Sequence, residues 1–191
     1  MRAFGKFAVV LAGIALLSPA PARASLREDV AGFFHGIAVH FRMLRLAAQP
    51  PDSVLILPLR TTRVHRLYDS WGAGRPDGRK HQGQDLFAPR GTPVYSATTG
   101  YVTRIGENRL GGLTVWVMGA GRRVYYYAHL DRYPEGLKAN DRVDTGTVIG
   151  YVGATGNARG GKPHLHFGVY TLQGPINPMP LLRDPGRTPS F

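Results

Sequence analysis

Of the seven histidines in this 191-residue chain, four fall in three short segments: His81-Gln82-Gly83-Gln84-Asp85, Tyr127-Ala128-His129-Leu130 and Pro163-His164-Leu165-His166-Phe167. Imidazole nitrogens and a carboxylate are ligands that a first-row divalent ion such as zinc takes at about 2.0–2.2 Å. His164 and His166 sit at alternate positions. On a strand they point to one face with their Cα atoms about 7 Å apart, so that both rings can converge on one ion or one substrate. Leu165 and Phe167 then face the core. Between His81 and Asp85, Gly83 lets the chain bend so that the two side chains meet. Taken singly, each pair has an ordinary structural explanation, since histidines are common on polar strand faces and an aspartate caps turns. Taken together they supply one His, one Asp and one His, which leaves a tetrahedral zinc a fourth position for water, as in catalytic sites. Water on such an ion is acidic enough to attack a carbonyl near neutral pH. Two further histidines remain to orient that water, take its proton or stabilise the oxyanion. The spacing does not distinguish His164 from His166 as the ligand. The sequence contains neither His-Glu-x-x-His nor Gly-x-Ser-x-Gly, so the helical metalloprotease and serine-elbow arrangements are absent.

These segments need a sheet to bring them together. Short strands are predicted at about 54–57, 64–68, 94–97, 100–106, 113–118, 122–129, 147–152 and 164–170, separated by turns in a chain with 25 Gly and 15 Pro. Val115-Trp116-Val117 and Val124-Tyr125-Tyr126-Tyr127 carry the β-branched and aromatic residues that favour a pleated sheet. Residues 54–182 are therefore expected to form an all-β, antiparallel domain, and residues 183–191, with Pro185, Gly186 and Pro189, a loose tail. Ahead of this domain, Leu26, Val30, Phe33, Ile37, Phe41 and Leu44 recur at helical spacing and predict one amphipathic helix over 26–48. Ser25 with Glu28 forms a capping-box pattern, and Pro50-Pro51 ends the helix. His35 and His40 share no face and read as ordinary helix residues. The stripe can pack on the following domain, occupy its groove, bind a partner protein or, less readily, lie on a membrane surface.

Residues 1–24 read as a signal peptide. Arg2 and Lys6 precede the apolar run Phe7–Leu17, and Ala22-Arg23-Ala24 is a small-x-small cleavage site. That run is short against the ~20 residues a spanning helix needs. The expected address is outside the cytoplasm, in the cell envelope or beyond it. The chain has no cysteine, so it forms no disulfide and any metal site is built from His, Asp, Glu and water. The formal charge of +12 favours polyanions. For an exported protein these are wall material and lipid headgroups rather than specific nucleic acid, and the charges are scattered enough to serve solubility alone.

The three segments, in this order, resemble the signature motifs of LytM/lysostaphin-type metallopeptidases. The stretches Asp85 to Tyr95 and Val143 to Gly156 are similar to the family's connecting sequence, and the resemblance covers 54 to about 182. It implies a compact antiparallel β domain of the duplicated hybrid motif type, with an open groove and one zinc ion on its floor. By position, His81, Asp85 and His166 would hold zinc, and His129 and His164 would be the catalytic pair. The implied activity is zinc-dependent cleavage of peptide bonds in peptidoglycan cross-links or stems. The alternative is a wall-binding regulator of other hydrolases, which in that family goes with lost ligands; here all five positions are intact. The stretch Val143 to Gly150 also resembles a strand of biotinyl/lipoyl domains, but no lysine sits at a plausible carrier hairpin.

Overall fold

The computed structural model describes residues 20–75 and 78–185. The chain divides into two compact units, one ending at Leu44 and one beginning at Arg45. Helix α1 (Ala20–Ala47) starts ahead of the expected Ser25 cap. Ala20-Pro21-Ala22 explains the difference: alanine is the best helix former, and a proline in the first turn lacks only an N–H that would find no partner there. The expected stop before Pro50 holds. Phe34, Phe41 and Leu44 lie exposed on α1. No described helix is long and apolar enough to cross a membrane. Apart from Ala20–Ala24, which open α1, the expected signal peptide lies outside the described residues.

The second unit is built from strands β1 (Leu55–Ile56), β2 (Gln84–Phe87), β3 (Pro93–Tyr95), β4 (Gly100–Asn108), β5 (Gly112–Met118), β6 (Val124–Arg132), β7 (Arg142–Val143), β8 (Val148–Val152), β9 (His164–Thr171), β10 (Gly174–Ile176) and β11 (Leu182–Arg183). Nine of them form one sheet in the order β10-β9-β6-β5-β4-β7, with β2 added against β9 and β8 linking β6 to β3. Every pairing in it is antiparallel, and among the described residues only the small β1–β11 pair is parallel. The expected class, all-β with one preceding helix, is borne out. The inward faces of β2, β6 and β9 supply Leu86, Tyr125, Tyr127, Leu165 and Phe167, all fully buried. Alternation then turns Asp85, His164 and His166 to the opposite face, where they are only partly buried.

Several local expectations differ from the structure. Residues 64–68 form a 3-10 turn (Val64–Arg66) instead of a strand. The Val64 N–H donates to Asp184 Oδ1 at 2.8 Å and the Arg66 N–H to the Arg63 carbonyl, so these donors are used locally rather than in a ladder. Strand β2 escaped notice because Gln84 and Asp85 mask a short alternation. The tail is tied in at its start, since Arg183 pairs with Ile56 and Asp184 receives Val64. Its remainder from 186 lies outside the described residues.

Candidate active site

Register brings the segments together. In the β2–β9 ladder Asp85 faces His166 and Phe87 faces His164, and in the β6–β9 ladder Ala128 faces His166. Cross-strand neighbours of this kind have Cβ atoms about 5 Å apart, within reach of one ion. Gly83 permits the close approach: a Cβ there would lie 2.6 Å from His166 Cε1 and 2.7 Å from the Phe167 carbonyl oxygen. The bend expected of this glycine thus comes with a second role, a backbone kept free of bulk beside the His166 ring.

Three ligand atoms converge. His81 Nε2 lies 2.8 Å from His166 Nδ1, and Asp85 Oδ1 lies 3.0 Å from each of them. The His81 Nδ1–H donates to the Ser70 carbonyl at 2.7 Å, which leaves the Nε2 lone pair to face the cluster. A tetrahedral zinc with bonds of about 2.0–2.1 Å sets its donors roughly 3.3 Å apart. The triangle fits one such ion after an outward relaxation of a few tenths of an ångström. Two imidazole lone pairs and a carboxylate oxygen that meet at one point need a cation or a shared proton between them. His81, Asp85 and His166 are the described group of metal-ligating residues so arranged. His164 Nε2 stands further off, 3.9 Å from Asp85 Oδ1. Burial alone would push the Asp85 carboxyl up, but the adjoining His166 and His81 rings and the hydrogen bond from Arg75 outweigh it and hold the group well below the usual carboxylate range. Burial pushes His166 down, so its ring favours the neutral, ligating form.

His129 and His164 form a second pair, with ring centroids 4.8 Å apart. His129 stands on β6 at φ +61°, a left-handed conformation uncommon for a non-glycine residue. Two bonds fix it there: its backbone N–H donates to the Gly111 carbonyl at 2.7 Å and its Nδ1–H to the Thr155 carbonyl at 2.9 Å. The Thr155 hydroxyl in turn donates to the Leu130 carbonyl and accepts from the Leu113 N–H, which ties this loop to β6 and β5. His164 Nδ1 donates to the Lys162 carbonyl at 2.8 Å. Both rings therefore keep Nε2 for chemistry. Burial, followed by the neighbouring His164, pushes His129 down to about 4, so its imidazole is neutral at neutral pH.

All five residues line a groove of about 930 Å³, whose walls include Trp116, Tyr126, Tyr170, Asn108 and Arg75. The structure thus brings together every site residue expected from the sequence. Sequence reasoning missed Ser70, Gln84 and Thr155, which hold those residues in place, and Arg75, which donates to Asp85. Gln84 is fully buried; its amide donates to the Tyr68 carbonyl at 2.6 Å and accepts from the Ser70 N–H at 3.2 Å. It pins the loop whose Ser70 carbonyl holds His81 and whose Ser70 hydroxyl accepts the Asp85 N–H at 3.0 Å.

A family model described as Peptidase family M23 matches residues 79–178. The chain is 38% identical over 138 residues to the L-Ala--D-Glu endopeptidase of Bacillus subtilis (strain 168), a match covering 66% of this chain and 42% of that protein. Helicobacter pylori Csd3 superposes with a TM-score of 0.56 at 35% identity, over 68% of this chain and 35% of that one. The catalytic domain of lysostaphin from Staphylococcus simulans superposes with a TM-score of 0.54 at 28% identity, over 61% of this chain and 92% of that domain. This chain spans less than half the length of the curated relatives it matches.

Proposed function

The chain belongs to peptidase family M23, and from that premise we propose that it is a zinc-dependent endopeptidase that hydrolyses peptide bonds of peptidoglycan cross-links or stems. The observation that carries this reading is the convergence of His81 Nε2, Asp85 Oδ1 and His166 Nδ1 within 3.0 Å of one another, beside a separate histidine pair in one groove. His81, Asp85 and His166 are the proposed zinc ligands. Zinc bound there supplies Lewis acidity, which lowers the pKa of water and polarises the scissile carbonyl.

The other roles fall to the chain's own groups. The groove binds an extended peptide, with Trp116, Tyr126 and Tyr170 offering apolar faces along one wall. His129, neutral and fixed by Thr155, accepts at Nε2 a proton from the attacking water. His164 holds its Nε2 toward the reacting carbonyl and donates to the oxyanion when protonated. The oxygen of water ends on the carbonyl carbon, the C–N bond breaks, and the proton held by the histidine pair passes to the leaving amine. A non-catalytic wall-binding role is not favoured, because all five positions are intact and meet in one groove. Residues 1–24 are proposed to direct export to the envelope, where the substrate lies, with 25–53 as a helix and linker and 54–182 as the catalytic domain.

The test is to purify the protein, measure bound zinc, and incubate it with isolated peptidoglycan beside His129→Ala. We expect about one zinc per chain in both proteins, by the ligand count of catalytic sites. New amino groups should appear with the unchanged protein at a rate at least ~100-fold above the variant, the low end of what a general base contributes. No zinc uptake even when zinc is supplied would sink the catalytic reading.

A further inference from the structure

Asp85 has two carboxylate oxygens, and only Oδ1 faces the histidines. Oδ2 accepts a hydrogen bond from Arg75 Nη2 at 2.8 Å. Arg75 follows Gly74, which bridges Lys80, and its own N–H donates to the Arg79 carbonyl at 2.9 Å. The Asp85 side chain is 10% exposed and that of Arg75 is 37% exposed, so the pair joins the site floor to the groove's edge. We propose that Arg75 is a positioning residue of the metal site, which restricts Asp85 to ligation through Oδ1 by occupying Oδ2. The proposal rests on the reading of His81, Asp85 and His166 as zinc ligands.

A carboxylate free to turn about its last bond offers a metal either oxygen or both. A guanidinium donor on one oxygen fixes the carboxylate plane and leaves a single oxygen aimed at the ion. Here that oxygen stands 3.0 Å from both histidine nitrogens, which makes it the one aimed at a shared ion. One effect runs the other way, since a positive charge near the site repels a dication. Arg75 is more than a third exposed, so water and salt screen that repulsion, while the direct charge-assisted bond to a mostly buried carboxylate is screened far less. Orientation therefore decides the sign: loss of Arg75 weakens metal binding.

Zinc affinity is measured by competition with a chromogenic chelator for the unchanged protein, Arg75→Ala, Arg75→Lys and Lys80→Ala. Thermal melting of each metal-free protein runs in parallel. Arg75→Ala is expected to lose about 10- to 100-fold in affinity, the range for partners that orient metal ligands. Arg75→Lys should recover part of the loss, because an ammonium donates to Oδ2 without the planar fork. Lys80→Ala, which removes a like charge from the same turn, should not weaken binding. Cobalt substitution adds a readout that a purely structural role would not move: a second ligating Asp85 oxygen in Arg75→Ala changes the visible absorption. If metal-free Arg75→Ala melts lower, Arg75→Lys decides: affinity above that of Arg75→Ala supports the proposal, and affinity equal to it overturns it. Equal or tighter zinc binding by Arg75→Ala overturns the proposal while leaving the ligand assignment intact. Failure of the unchanged protein to bind zinc overturns that assignment and the proposal with it.

Discussion

Each histidine of the groove has one nitrogen tied to the backbone or to a ligand neighbour, and this division of labour makes the rings usable. His81, His129 and His164 all donate Nδ1–H to a carbonyl, from Ser70, Thr155 and Lys162 respectively. The carbonyl fixes the tautomer, so Nε2 presents a lone pair without any change in protonation. Behind His81 the arrangement depends on Gln84, whose buried amide satisfies both the Tyr68 carbonyl and the Ser70 N–H. Gln84→Leu keeps the side chain's approximate volume but strips both bonds. We expect it to destabilise the protein by about 1–3 kcal/mol, the cost of leaving a buried polar group unpaired. The measurement is urea unfolding, where the midpoint should fall with the slope unchanged. Zinc affinity should fall as well, because the Ser70 carbonyl that orients His81 loses its anchor. An unchanged midpoint would mean that water replaces the amide at no cost.

At the scale of elements, the site is the product of two antiparallel ladders that meet on β9, and its precision is set by how closely β2 and the residues before it approach that strand. Gly83→Ala tests this. Its Cβ would lie 2.7 Å from the Phe167 carbonyl oxygen, a backbone atom that cannot swing away, and 2.6 Å from His166 Cε1. The expected result is a loss of about 1–3 kcal/mol by overpacking, accompanied by weaker zinc binding as the His166 ring is displaced. A calorimetric melt and a chelator titration would read the two effects. The same ladders explain what was legible beforehand. His164 and His166 announce themselves because a strand's period of two puts both on one face, and His81 and Asp85 because a single segment carries them. The all-β class followed from runs such as Val124–Tyr127. The supports of the site were hidden for a physical reason: Ser70, Thr155 and Lys162 act through backbone carbonyls, which every residue type possesses, so side-chain identity carries no mark of the role. Arg75 was hidden among many arginines, since only the fold shows that its guanidinium reaches Asp85. The 64–68 segment misled because Val64, Leu67 and Tyr68 suit a strand while its N–H groups are used within a turn and by Asp184.

For the molecule as a whole, the absence of cysteine and the placement of the ligands couple metal binding to stability. No disulfide restricts the unfolded chain. His81 and Asp85 reach His166 across more than half of the β domain's sequence, so an unfolded chain offers no comparable site and the ion binds the folded form far better. In the folded form two imidazole nitrogens and a carboxylate oxygen lie within 3.0 Å of one another in a largely buried position. Ligand linkage then sets the size of the effect: free zinc at 1,000 times its dissociation constant adds about 4.1 kcal/mol to the stability of the folded form. For a domain of this size that corresponds to a rise in melting temperature on the order of 10–20 °C. Differential scanning calorimetry of the protein stripped with a chelator and then titrated with zinc should show the transition climbing with the logarithm of free zinc. The His166→Ala variant should show little climb, because it loses a ligand. His129→Ala should climb as the unchanged protein does, because His129 is assigned to proton transfer and not to the ion. Equal zinc-dependent climbs in the His166→Ala variant and the unchanged protein would place the ion elsewhere and remove the physical basis for the division between ligands and catalytic pair.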